Sequence, residues 1–519
     1  MIFIKPNDPR VRDFVPPHMK SIAVLGSSIV NVLADVGGGI SGLASAWHLT
    51  RVLPPSTPIT VFEASSRTGG WVKSVRVQRP GGSVLVETGP HLLRVNAASG
   101  YAGLELVKAL GLQDEIIWVN NTSVSSEQRY FKYQDRLVQV SVDQNSSAII
   151  RMITEPLFRK AIGGGLRYLL LPSHPPKGLK DESVATYARR RFNDHIARYF
   201  MSPMMHGIYA GDYEKLSMRS TFLSRFWDVK IDEKQGKKGP TEDQILAAEI
   251  KAGLGVDLLR TASRQKMYTF RDGLEALPRK LKESLEGRVN IRTDSPVQTI
   301  QVDGEDIKIR TPLKTQSFSH VFSTLPLRKL FPLLPSFPLD LAQSFPTDVT
   351  VGVVNLYYPS GSVDLPIRGF GYLIPQSTLE ENPEAALGVA IVSDGVQGQD
   401  TGDYKSGVKL RVLMGGHNWR DRRSLPSDDE LLATAVSVVA KDLKITVEPT
   451  VSHVSLQREC IPQYEVGHWE RTEKLNTYLD TTFGPDKFKI VGTGLDGVGV
   501  NMGILSARKA ARSIGTGRP

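Results

Sequence analysis

The chain has one cysteine, Cys460, in 519 residues. That scarcity excludes a disulfide framework and any zinc or iron–sulfur site built from several cysteines. No apolar run reaches the ~18 residues of a membrane-spanning helix. The first twenty residues mix Lys5, Arg10, Arg12 and Lys20 with Asp8 and Asp13. They lack the apolar core of a secretory signal and make a poor transit peptide. There is no internal repeat and no long low-complexity segment. No Ser/His/Asp or paired-carboxylate constellation stands out, so no catalytic base is assigned and no metal site is expected. What is present is a globular composition, 40% apolar and 23% charged, which excludes a wholly disordered chain. At roughly 150 residues per domain, two to four domains are expected.

Basic residues outnumber acidic ones, 64 to 54, for a net charge of +10. The surplus is uneven. Residues 151–220 carry 12 Lys/Arg against six Asp/Glu, with Arg189, Arg190 and Arg191 the tightest cluster. An anionic membrane surface or an acidic ligand would suit such a surplus; a solvated helix face is the plainer reading of any single charge. No aromatic motif of the RNA-binding kind interleaves the basic residues, so nucleic acid is disfavoured.

The strongest local signal lies near the start. Residues 21–26 form an apolar run that reads as a buried strand. Gly37, Gly39 and Gly42 then form G-x-G-x-x-G, residues 43–50 read as a helix, and residues 59–63 as a second strand ending in Glu63. Alone the glycine pattern is weak. With a strand before it, a helix after it and an acidic residue closing the next strand, it is a dinucleotide signature. The glycines permit a tight turn and close backbone approach to a pyrophosphate at the helix N-terminus, and Glu63 can accept from a ribose hydroxyl pair. Residues 27–36 sit between the first strand and the glycines. Either residues 32–36 take over as the strand, with Asp35 awkwardly placed, or about ten residues are an insertion. Farther on, residues 104–112 and 273–285 read as helices. Residues 129–140 read as a hairpin turning at Gln134-Asp135, residues 149–218 as mostly helical, and residues 230–251 as an exposed loop or poorly packed helix.

Arg67-Thr-Gly-Gly-Trp71 directly after Glu63 resembles the extension found in the flavin amine oxidase superfamily. Gly492-Thr-Gly-Leu-Asp-Gly-Val-Gly-Val-Asn501 follows a strand and opens a helix, and its backbone N–H groups suit a flavin carbonyl or pyrophosphate. The resemblance then narrows through Val86-Glu-Thr-Gly-Pro90, Gln128-Arg-Tyr-Phe-Lys-Tyr133, Asp181-Glu-Ser-Val184, Gly207-Ile-Tyr-Ala-Gly-Asp212, Phe270-Arg-Asp-Gly-Leu274, Ser323-Thr-Leu-Pro326, Gly369-Phe-Gly-Tyr-Leu373, Met414-Gly-Gly416 and Cys460-Ile-Pro-Gln-Tyr464 with Gly467-His468. In this order, over nearly the whole chain, they resemble the oxygen-dependent protoporphyrinogen oxidases of the fungal mitochondrial type.

That resemblance implies FAD as cofactor, protoporphyrinogen IX and O2 as substrates, and a six-electron oxidation that yields H2O2 in haem synthesis, with the chemistry carried by the flavin. It implies a cofactor site of Gly37, Gly38, Gly39, Ile40, Ser41, Gly42, Glu63, Ala64, Arg67, Gly70, Trp71, Gly89, Pro90, His91, Leu92, Val297, Thr493, Val498, Gly499 and Val500. It implies a substrate site of Arg129, Gly207, Phe370, Gly371 and Leu373, with Arg129 awaiting a propionate; Arg94 and Leu413 have weaker support. His91 departs from the family, which often has a basic or small residue there. His206 and His417 are available imidazoles, more readily read as structural.

The implied fold class is α/β and α+β. A discontinuous Rossmann-like FAD domain (20–96, 265–326 and 455–519) is joined by a helical membrane-associating domain (97–213) and a mixed-sheet substrate domain (214–264 and 327–454). The basic helical stretch would dock peripherally on a membrane, near residues 166–172, and the family compartment is the mitochondrial inner membrane. A homodimer and contacts with haem-pathway enzymes are compatible with the resemblance. The rival readings are another FAD-dependent amine or polyamine oxidase, a carotenoid-type desaturase, and a catalytically impaired porphyrin-binding flavoprotein.

Overall fold

A computed structural model describes residues 22–25, 37–140, 154–170, 178–224, 226–227, 242–377, 380–495 and 497–516. Residues 27–36, the expected insertion or alternative strand, lie outside the described residues. The strand question is answered: Ile22–Leu25 is the strand. It occupies the middle of a five-stranded parallel sheet in the order Asn290–Arg292, Ile59–Phe62, Ile22–Leu25, His320–Ser323, Phe488–Ile490. Such a sheet is covered on both faces, which is why Ile59–Phe62 is buried throughout, with three of its four residues apolar. Helix Ile40–Val52 covers it and packs against the C-terminal helix Val500–Thr516. Residues 42–49 of the first helix are all buried, so it is enclosed on every side rather than amphipathic. Each fully buried Leu or Phe here contributes about 1.5–3 kcal/mol.

A second, seven-stranded sheet runs Val451–Ile461, Val349–Tyr358, Val408–Gly415, Ala386–Ile391, Gly371–Leu373, Tyr130–Tyr133, Arg136–Gln139. All its pairings are antiparallel except Gly371–Leu373 with Tyr130–Tyr133. Helix Asp428–Leu443, started by a Ser427/Glu430 capping box, shares its core with Leu431, Ala435, Val438, Val439 and Leu443. Helices Val184–Arg191 and Ser202–Tyr209 form a helical part with a core around Ala185, Met205, Tyr209, Leu216 and Tyr464, and helix Pro156–Leu170 packs its Leu157 with Tyr133 and Val138 of the hairpin.

The hairpin expected at residues 129–140 is present, and it extends the seven-stranded sheet. Two features depart from expectation. Residues 242–254 are a well-packed helix: Leu246, Ile250 and Leu254, spaced by four, form one buried face against helix Ala97–Ala109. The arginine cluster is largely spent inside the protein. Arg189 pairs with Asp194 (2.8 Å) and Glu214 (2.7 Å), Arg190 contacts Glu182, and Arg191 is buried with its guanidinium 4.6 Å from the Tyr168 ring centre.

Candidate active site

The glycine turn, the second strand and the C-terminal motif meet at one end of the parallel sheet. Gly39 bridges to Gly69, and Gly69 N–H donates to Gly38 O at 2.7 Å. A Cβ on Gly38 would stand 2.8 Å from Thr68 Cγ2, so the two loops touch where only glycine fits. Ser41, at the start of the first helix, lies against the C-terminal motif: its Oγ would be 3.0 Å from a Cβ on Gly492 and 2.4 Å from one on Gly503. The segments around residues 37–42 and 492–503 are therefore side by side although more than 450 positions apart. Ala64 and Arg67 follow in the adjoining loop. Arg67 donates to Thr68 O at 2.9 Å and to Gly70 O, and lies 3.7 Å from Glu275. Ser295 N–H donates to Glu63 O at 2.8 Å, which brings buried Val297 beside the same strand end.

Glu63 is fully buried and fully engaged. One carboxylate oxygen accepts from Gly37 and Gly38 N–H, the other from Ser65 N–H (2.8 Å) and Ser65 Oγ (2.7 Å). A carboxylate offers about four lone-pair sites, so all are used. A ribose could bind Glu63 only by displacing one of these donors, and release of the Gly37 and Gly38 N–H groups would free them for a phosphate. Burial raises the Glu63 pKa against the opposing effect of its hydrogen bonds.

The Gly89-Pro90-His91-Leu92 turn is clamped to the seven-stranded sheet by a ladder of side chains on three successive carbonyls. Asn355 Nδ2 donates to Glu87 O (3.1 Å), Gln457 Nε2 to Thr88 O (2.9 Å), and Arg411 Nη2 to Gly89 O. Asn355 and Arg411 are cross-strand partners. Sequence reasoning missed these residues. The available signal was Lys409 and Arg411 inside an apolar strand that must be buried. Arg411 is 4% exposed, and its Nε and Nη1 have no hydrogen-bond partner. They lie beside a cavity of about 10 Å³ lined by Glu87, His91, Asn355, Gln399 and Lys409, about the space of one water. Burial lowers the Arg411 pKa to about 10. Burial, then Arg411, lowers that of His91 to about 3, so His91 is neutral. Glu87 is pushed up to about 7 by burial, although Leu274 N–H (2.7 Å) and Ser74 Oγ (2.8 Å) donate to it.

The parallel pairing of Tyr130–Tyr133 with Gly371–Leu373 brings the substrate candidates together. Phe370 N–H donates to Gln128 O at 3.0 Å. The Arg129 guanidinium then lies 5.7 Å from the Phe370 ring centre, and the His91 ring centre 6.1 Å from it. Gly371 has φ +118°, and a Cβ there would be 2.0 Å from Val389 O. Gly207 is exposed although it lies in a helix beside the sheet; a Cβ on it would stand 2.9 Å from both Leu373 methyls. Arg129, Phe370, Leu373 and Leu413 are all half-buried. Arg129 and His91 thus stand near the Phe370 ring, and Leu373 lies against Gly207.

His206 and His417 form a pin between the helical part and the sheet. His206 Nδ1–H donates to Ile374 O at 2.7 Å, which leaves its Nε2 to accept from His417 Nε2–H at 2.9 Å. Burial lowers both pKa values, to about 3 and about 4. The pair is structural, in line with the plainer expectation. Among the described residues no group of three or more His, Cys, Asp or Glu could hold a metal ion.

Residues 40–515 match the family model for flavin containing amine oxidoreductase. The chain belongs to that family, and its cofactor is FAD. It is 31% identical to a protoporphyrinogen oxidase of Schizosaccharomyces pombe over 512 residues, covering 93% of this chain and 98% of the relative. It is 32% identical to a human protoporphyrinogen oxidase over 491 residues, covering 92% and 97%. A solved structure from Exiguobacterium sp. 255-15 shares the fold at a TM-score of 0.71 and 23% identity, covering 96% of this chain and 99% of that one. The residues fit FAD on their own terms. Gly38, Gly69, Gly492 and Gly503 let the glycine turn, its neighbouring loop and the C-terminal motif pack closely, and Trp71 Nε1 is a buried donor without a partner among the described residues.

Proposed function

We propose that this protein oxidises protoporphyrinogen IX to protoporphyrin IX. Three O2 are reduced to three H2O2 as six electrons and six protons leave the macrocycle, a step of haem biosynthesis. The reading is supported by the pairing of strand Tyr130–Tyr133 with Gly371–Leu373, which sets Arg129 near Phe370 and leaves Leu373 against Gly207. The names of the relatives agree with it. FAD, when bound, accepts a hydride equivalent from the substrate and passes the electrons to O2. The chain's own part is to hold and orient. Arg129 pairs with a propionate. Phe370 and Leu373 cover the macrocycle and exclude water, while Gly207 lets the opposite wall approach closely. No side chain is assigned as a base; His91 and the His206–His417 pair are neutral, and the latter already share their hydrogen bond. Gly37–Gly42, Glu63, Ala64, Arg67, Gly70, Trp71, Gly89–Leu92, Val297, Thr493 and Val498–Val500 line the cofactor.

Peripheral attachment to the mitochondrial inner membrane is part of the same proposal. Helix Pro156–Leu170 exposes Ile162, Leu166, Leu169 and Leu170, the last two 77% and 80% exposed, with exposed Arg159, Lys160 and Arg167 on the same helix. This suits an interface with anionic lipid. No helix among the described residues is long and apolar enough to cross a membrane. L169D with L170D should abolish sedimentation with cardiolipin-containing vesicles; unchanged sedimentation refutes this docking face. The function is tested by an anaerobic flavin spectrum of the purified protein. Bleaching on addition of protoporphyrinogen IX, then recovery in air with rising porphyrin fluorescence, is the expected result. A yellow protein that never bleaches refutes the substrate.

A further inference from the structure

Two motif segments outside the cofactor and substrate sites, Asp181–Val184 and Tyr464 with Gly467-His468, meet across Leu216-Ser217. Ser183 bridges to Ser217 and Leu216 to Glu465. Val184 N–H donates to Leu216 O at 2.9 Å, and Ser217 N–H to Tyr464 O at 2.8 Å. The Asp181 carboxylate joins all three segments. It accepts from Glu182 N–H at 2.9 Å, from Ser217 Oγ–H at 2.8 Å and from Gly467 N–H at 2.9 Å. Bonds to a carboxylate are among the stronger hydrogen bonds in a protein. Gly467 has φ +81°, the left-handed turn that turns its N–H toward this acceptor and favours glycine.

The turn 463–468 reaches from there in two directions. Toward the cofactor, the Tyr464 hydroxyl donates to Thr493 O and accepts Gly497 N–H at 2.8 Å. His468 stacks on Tyr464 with ring centres 4.3 Å apart, and its Nε2–H donates to Leu495 O at 3.4 Å. Burial lowers the His468 pKa to about 4, so the ring is neutral, and the carbonyl acceptor places its proton on Nε2. Thr493, Leu495 and Gly497 belong to the glycine-rich C-terminal motif, whose backbone N–H groups suit the flavin. In the other direction, Gln463 Nε2 donates to Tyr209 O at 2.9 Å, and the Tyr209 and Tyr464 ring centres are 5.9 Å apart. Tyr209 ends the helix that carries Gly207.

We propose that Asp181 is a positioning residue for the flavin. Through Gly467 and Ser217 it fixes the turn 463–468. That turn holds the backbone of Thr493, Leu495 and Gly497 in place for the cofactor and sets it in register with the helix bearing Gly207. Without the carboxylate, Gly467 N–H and Ser217 Oγ–H each lose an acceptor, and the turn that aims Tyr464 and His468 is held by fewer bonds. Asp181 acts on the flavin through Tyr464, so its loss and the loss of the Tyr464 hydroxyl should overlap rather than add.

The test uses the FAD-loaded full chain. D181N keeps the shape of the side chain and removes one acceptor oxygen. It should quicken flavin release on dialysis about 3- to 10-fold, part of the effect of a lost charged hydrogen bond, and change the visible circular dichroism of the bound flavin. The D181N/Y464F double variant should release flavin at nearly the Y464F rate, whereas independent sites would multiply their effects. S427A removes the cap of helix Asp428–Leu443 and should leave flavin release and spectrum unchanged, which separates positioning from general destabilisation. If D181N yields no soluble protein, S217A, which removes a donor to the same carboxylate, takes its place with the same expectations. Unchanged release and spectrum, effects that multiply with Y464F, or an equal response in S427A overturns the inference. None of these readouts uses the porphyrinogen, so the inference fails or stands apart from the substrate reading.

Discussion

Replacing Gly207 with alanine separates the cleft from the stability of the fold. Gly207 lies inside the helix Ser202–Tyr209 and has no left-handed backbone to protect, so alanine is favoured there by about 1 kcal/mol. Against that gain, the new methyl would meet Leu373 Cδ1 and Cδ2 at 2.9 Å. The obstructing atoms are the end of a flexible side chain, so Leu373 can turn, at about 0.5–1.5 kcal/mol for leaving its rotamer. Leu373 also packs within 3.0 Å of where a Cβ on Gly388 would be, so it is expected to turn away from Gly388 and into the proposed substrate site. The two contributions nearly cancel, and the melting temperature should move by no more than about 2–4 °C. The occupied cleft should instead raise KM for the porphyrinogen, by about tenfold if the intrusion costs ~1.4 kcal/mol of binding. Steady-state oxidation at low substrate, read by porphyrin fluorescence, measures the KM, and differential scanning calorimetry measures the melt. Adding Leu373→Ala should restore much of the loss. An unchanged KM in G207A, or a large fall in melting temperature that explains the kinetics, would refute the assignment of Gly207 and Leu373 to facing walls.

Four further outcomes are expected. Gly371→Ala meets backbone rather than side chain and requires φ +118° of an alanine, so it should cost more than about 3 kcal/mol and deplete soluble protein; a normal yield of folded G371A refutes the local geometry. Tyr464→Phe removes the hydroxyl that donates to Thr493 O and accepts from Gly497 N–H at 2.8 Å. FAD affinity should fall about 5- to 30-fold, the equivalent of ~1–2 kcal/mol, as measured by flavin release on dialysis. Arg411→Met breaks the Gly89 rung of the carbonyl ladder, so flavin release should quicken and the visible circular dichroism of the bound flavin should change; unchanged release and spectrum refute the clamp. His206 and His417 have folded pKa values of about 3 and about 4, below the 6.5 of a free imidazole. Their contribution is therefore complete above pH 6.5 and is lost as pH falls toward 4, at up to ~1.4 kcal/mol per pH unit for each ring. Urea unfolding at pH 7, 6 and 5 should show this slope, and H417Q should flatten it; equal slopes in the two proteins count against the pin.

Much of the site was legible before any coordinates, and for definite reasons. The G-x-G-x-x-G turn, Glu63 closing the next strand and the glycine-rich stretch before Val500 are local patterns whose residue types follow from backbone approach to a phosphate. The sequence by itself determined the parallel strand Ile59–Phe62, the hairpin at Gln134-Asp135 and the family to which the chain belongs, because continuous apolar runs and turn residues act over a few positions. It also contained Leu246, Ile250 and Leu254 at a spacing of four, a helical signal obscured by their polar surroundings. Tertiary structure decided the rest. That Arg129 would stand over Phe370 depends on a parallel pairing between strands some 240 positions apart. That Glu63 would already hold four donors and that three side chains of one sheet would cap three carbonyls of another segment are both non-local. Hydrophobic periodicity specifies which face of an element is buried, but not which other element covers it. Only the packed chain brings such distant polar groups close enough for their charges and hydrogen bonds to matter.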